Sequence, residues 1–154
     1  MAARPFRMRR LTAAEQTLGR EMFGESLDTA RVRILPIPLW NRAFVAGPSL
    51  IVWPAACLPD DFAKATLGLQ ATLVHELTHV WQAQHGVRLL IAKVKAGDSP
   101  AAYAYRLTPD SDFLALNIEQ QAMVVEHAFL AARGASVPHP PALYAAISSA
   151  WRRS

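Results

Sequence analysis

A chain of 154 residues is one domain's worth, long enough to bury about 70% of its unfolded surface without staples. Its 52% hydrophobic and 18% charged residues exclude a disordered chain, and a single cysteine, Cys57, excludes a disulfide framework or a cysteine-built zinc site. The net charge of +4 comes largely from Arg4 to Arg10 and Arg152 to Arg153, without the basic stripe and interleaved aromatics of a nucleic-acid reader.

Thr12 and Glu15 form a capping-box pattern that starts a short helix, and Gly24 is placed to end it. The basic segment before it, about residues 1–10, reads as a solvated tail. It leads into a polar helix start instead of an apolar run, so no secretory signal is expected and the default is a soluble, cytoplasmic protein. Arg31 to Leu35 alternates as a half-buried strand, with Val32 and Ile34 on one face. Ala43 to Ala46 and Leu50 to Trp53, joined through Gly47-Pro48, read as a hairpin. The uncharged run Ala43 to Pro59 carries three prolines and a glycine, which excludes a membrane span. Cys57 within it reads as a small buried residue.

Asp60 or Asp61 is placed to cap a long helix running to about His85, with Gly86 as its stop. Phe62, Leu69, Leu73, Leu77 and Val80 form its apolar stripe. Gly68 inside it costs about 1 kcal/mol relative to alanine, which points to close packing there. Tyr103 to Leu107 reads as a strand between two turns. A second long helix is expected from about Asp112 to Arg133, ended by Gly134, with Ile118, Ala122, Val125 and Phe129 buried. A short helix, about 141–152, follows the prolines at 138, 140 and 141. With no repeat or linker, residues 1–154 read as a single domain.

The chemistry concentrates in His75-Glu76-Leu77-Thr78-His79. Histidines four apart on a helix stand one turn above each other on the same face, within reach of one metal ion. Glu76 is rotated about 100° from His75, so it misses the metal and faces a bound water as general base. The chance of this H-E-x-x-H pattern in a chain of this composition is roughly 0.006. Zinc with three protein ligands and an open position lowers the pKa of water toward about 7.

Glu119, forty residues after His79 on the second helix, is the favoured third ligand, sharing a face with Leu116, Met123 and Glu126. Glu126 is read as supporting the site or as solvated. His85 is the rival ligand: counted from His75 it has the spacing of a three-histidine motif. That motif needs a glycine where Gln82 stands, and an unbroken helix turns His85 away from His79. Tyr103, Tyr105 and Arg106 are candidates to stabilise an oxyanion, against a plainer reading as packed aromatics. His127 and His139 read as structural.

The segment VHELTHVWQ resembles the active-site helix of the zincin metallopeptidases. With RVRI, the hairpin AFVAGPSLIVWP and NIEQQAMVVE, the wider pattern resembles small bacterial zincin-like proteins labelled Vgr-related, associated with contractile injection systems and polymorphic toxins. The likeness covers roughly residues 14 to 130. It implies an α+β fold with a small sheet packed on the motif helix, zinc held by His75, His79 and Glu119, and Glu76 as general base. It also implies export by a contact-dependent system and secretion-system partners. One departure stands out. The acidic residue that often orients the first histidine is missing, since Ala122 and Met123 stand three and four places past Glu119. Asp112 or a backbone carbonyl is expected to take that role.

The leading expectation is a zinc metallopeptidase or related amide hydrolase, binding an extended peptide or protein substrate along the strand Leu50 to Trp53. The alternative is a non-catalytic delivery or docking module of a secretion system. Nucleic acid and membrane are not expected partners.

Overall fold

The computed structural model describes residues 6–152. Arg4 and Arg153, part of the basic excess, lie outside them. The supposed tail is in part structural: Arg9–Arg10 forms strand β1, and the guanidinium of Arg9 grips the Glu15 carboxylate at 2.8 and 2.9 Å. Glu15 is fully buried. Its carboxylate also accepts from the backbone N–H of Thr12, completing the capping box of α1 (Ala13–Phe23), and from that of Phe62. One carboxylate thus joins a strand, a helix start and a distant turn. Glu15→Ala leaves a half-buried cation and two N–H groups without their acceptor. It is expected to cost about 3 kcal/mol of stability, read from the urea midpoint of the metal-free protein.

Strand β2 (Arg33–Ile37) begins two residues later than the alternation implied, because Thr29–Arg31 coils into a 3₁₀ turn capped by Asp28. The hairpin is present as β3 (Phe44–Val45) and β4 (Leu50–Pro54), with Gly47 supplying the positive φ its turn needs. The sheet order is β1-β2-β4-β3. β2 and β4 pair in parallel, Ile34 opposite Ile51 and Pro36 opposite Trp53, while both edge strands run antiparallel to their neighbours. β4 is therefore enclosed on both sides and cannot receive a substrate strand; the edge strand beside it is β3.

The motif helix α2 spans Leu67–Gln84, capped by Thr66. Asp61 instead caps a separate 3₁₀ turn, Phe62–Lys64, which tucks Phe62 against Trp53 at 4.6 Å between ring centroids. The close helix contact is at Gly19, where a Cβ would stand 2.8 Å from Thr29 Cγ2; at Gly68 nothing lies within 4 Å. Cys57 is exposed, not buried.

Two helices follow α2, α3 (Leu89–Ala96) and α4 (Pro100–Tyr103). Tyr103 to Leu107 is not a strand. The Ala102 and Ala104 carbonyls accept from the side chains of Asn117 and Gln120, so the segment is tied to the next helix and not to the sheet. That helix, α5 (Ile118–Ala132), is capped by Asn117 with Gln120 completing the box, while Asp112 caps a preceding 3₁₀ turn, Phe113–Ala115. The C-terminal segment divides into α6 (Pro141–Ile147) and α7 (Ser149–Arg152). Trp151 is fully buried and donates its indole N–H to the Met22 carbonyl.

The fold is α+β, a small mixed sheet with helices packed on it in one domain. α2 lies between the sheet and α5, so Leu73, Val74, Leu77 and Val80 are buried around more than one face. The two helices that carry the chemistry-bearing residues pack directly on each other. No described helix is long and apolar enough to cross a membrane.

Candidate metal centre

His75 and His79 project from α2 and Glu119 from the first turn of α5. Among the described residues these three form the group whose donor atoms converge, all within 4.8 Å of one another. Glu119 Oε2 lies 3.4 Å from His75 Nε2 and 3.2 Å from His79 Nε2. Donors bound to one zinc ion at tetrahedral angles stand about 3.4 Å apart, so the spacing fits such an ion.

The imidazoles are held from behind. The Nδ1–H of His75 faces Glu126 Oε2 at 2.9 Å, and that of His79 faces Gln82 Oε1 at 2.8 Å. Each bond leaves Nε2 as the nitrogen facing Glu119. Glu126, seven places past Glu119, fills the orienting role expected of Asp112. Gln82 was not singled out as a site residue by sequence reasoning. It is fully buried, and its amide N–H₂ donates to the Ile118 carbonyl and to Gln121 Oε1, which locks its oxygen toward His79. The signal that would have found it is a polar side chain three residues past a motif histidine in an apolar helix.

Glu76 is buried beside the two histidines, and its Oε2 has no hydrogen-bond partner. Burial raises its pKa, an effect partly offset by His79 and His75. Burial also opposes protonation of His75, but hydrogen bonds to Glu119 and Glu126 and the charge of Glu76 outweigh it and lift its pKa to about 9. Burial works against ionising Glu119 too, yet the two imidazoles hold its carboxyl well below the usual range. The metal-free centre therefore stores a proton on His75, and this stabilises the folded protein below the ordinary histidine pKa. The contribution fades as pH rises through about 9. A metal bound there would have to displace that proton. Apparent zinc affinity, measured against a competing chelator, is expected to climb up to about tenfold per pH unit in the neutral range and to level off above about 9.

The centre forms part of the floor of a groove of about 1050 Å³. Trp40, Phe44 and Val45 line it on the sheet side; Leu89, Leu90 and Ile91 on the α3 side. The other sequence candidates separate. Tyr103 lines the groove, its hydroxyl held by Asp98 and Arg42. Tyr105 turns away to His127 and Tyr144, with His139 against its ring. Arg106 is exposed outside the groove. His85 caps α2 and directs Nδ1 to the Trp81 carbonyl at 2.8 Å, apart from the converging donors.

No family model matches the chain. It is 34% identical over 134 residues, 79% of its length, to the type VI secretion system spike protein VgrG2b of Pseudomonas aeruginosa, of which it spans 13%. Its fold is similar to the solved effector domain of P. aeruginosa VgrG2b at a TM-score of 0.70 and 31% identity, covering 94% of this chain and 83% of that one. The chain belongs to the family of the VgrG2b effector domain.

Proposed function

We propose that this domain is a zinc-dependent amide hydrolase acting on a peptide or protein, carried as an effector of a type VI secretion system. The observation that supports the chemistry is Glu76: a buried carboxylate with one unpartnered oxygen, lining a groove beside three converging donors. His75, His79 and Glu119 would hold the ion. When bound, zinc makes water acidic enough to deprotonate near neutral pH and polarises a carbonyl. Glu76 takes the water's proton and later passes it to the leaving nitrogen; its raised pKa makes it the stronger base for the first transfer. Glu126 and Gln82 keep both imidazoles aimed during turnover. The edge strand β3 offers backbone groups to an extended substrate entering the groove.

The test is cleavage of an unfolded protein substrate by the zinc-loaded domain, abolished by a chelator and restored by added zinc. The second reading, a delivery or docking module without catalysis, is supported by the likeness to a spike protein. A protein that binds zinc stoichiometrically, cleaves nothing in a diverse peptide library and retains a secretion-system component in a pull-down would favour that module.

A further inference from the structure

Helix α3 is inverted relative to an ordinary surface helix. Leu89, Ala92 and Ala96 face the molecule and are only half-buried, and none of its residues is fully buried. Leu90, Ile91 and Val94 face solvent, exposed by 80%, 48% and 77%. At 100° per residue these three form one stripe, with Lys93 on one flank and Arg88 and Lys95 on the other. Every charged residue between Gly86 and Gly97 is basic. Asp98, just beyond, is paired with Arg42, and Lys93 Nζ stands 3.8 Å from Glu119 Oε1.

A second apolar element stands at the same groove. Trp40, half-exposed, lines it with Leu90 and Ile91. Its neighbour Leu39 is fully exposed with φ of 58°, a left-handed conformation that costs a leucine energy and that no burial of its side chain offsets.

We propose that α3 and the Leu39–Trp40 tip form a docking surface for an anionic membrane, bringing the mouth of the groove to the lipid headgroups. An exposed apolar stripe flanked by basic side chains matches an interfacial helix, whose apolar face enters the acyl boundary while its cations meet anionic headgroups. Tryptophan favours the same boundary. A second copy of the chain is a poorer occupant, because a two-fold contact through the stripe would set Arg88 and Lys95 against their own equivalents. The proposal does not rest on catalysis.

The experiment is co-sedimentation of the zinc-loaded domain with vesicles of phosphatidylglycerol and phosphatidylethanolamine, against vesicles of phosphatidylcholine alone. Binding to the anionic vesicles is expected to weaken as salt rises, and to be at least about tenfold tighter than to the neutral ones. Leu90→Ser with Val94→Ser should weaken it by about tenfold or more without changing the fold, since both side chains are exposed. Arg88→Gln with Lys95→Gln should reduce both affinity and salt dependence. Tryptophan emission should shift to the blue on binding, and the shift should vanish in Trp40→Phe. Absence of binding to anionic vesicles, or equal binding by the Leu90/Val94 variant, would overturn the proposal. So would a solution dimer that this variant dissolves, which would assign the stripe to a second copy.

Discussion

Glu76→Gln is expected to keep its zinc while amide hydrolysis falls by about 10²–10⁴-fold. Glutamine preserves the size of the buried side chain but cannot accept and return a proton. Because Glu76 stands outside the converging donor set, metal content measured by atomic emission should match the parent. The unpartnered Oε2 makes the substitution mild for stability, since no hydrogen bond is broken at that atom. A variant that cleaves as fast as the parent would remove Glu76 from the chemistry. A variant that loses its metal would instead make it a ligand or a support of the ligands.

Glu119→Ala is expected to lower zinc affinity by more than about 100-fold, beyond the 10–100-fold typical of losing an outer partner. Glu119 Oε2 is the atom on which both Nε2 nitrogens converge, so its removal takes away the third converging donor. His79→Ala should behave alike. Glu126→Ala, which removes only the support behind His75, should fall within the 10–100-fold range. Competition with a chelator of known affinity separates the two classes. Retention of stoichiometric zinc by Glu119→Ala would return Glu126 and His85 to consideration.

The parts of this protein legible in one dimension are those whose physics is local. The Thr12–Glu15 box, the Gly47-Pro48 hairpin and the two histidines one helical turn apart follow from spacing and backbone preference alone. The misplaced helix starts have a shared cause. Asp61 and Asp112 are good caps, and each does cap a turn, but the turns are 3₁₀ and stop after three residues. Thr66 and Asn117, a few residues on, cap the real helices. Local preference marks a capping residue without saying how far the helix beyond it continues.

Tertiary structure decided what depends on pairs distant along the chain. The parallel β2–β4 pairing closes off the strand that seemed the natural substrate edge and leaves β3 in its place. Glu126 reaches His75 across 51 positions, and Gln82 is held by α5 in the pose that orients His79. The spacing of the motif determined that two imidazoles share a helix face, because 3.6 residues per turn leaves no other arrangement. Whether a carboxylate stands opposite them, and which side chains hold them from behind, was decided only when α5 packed against α2. That packing is set by burial of apolar surface over the whole interface between the two helices.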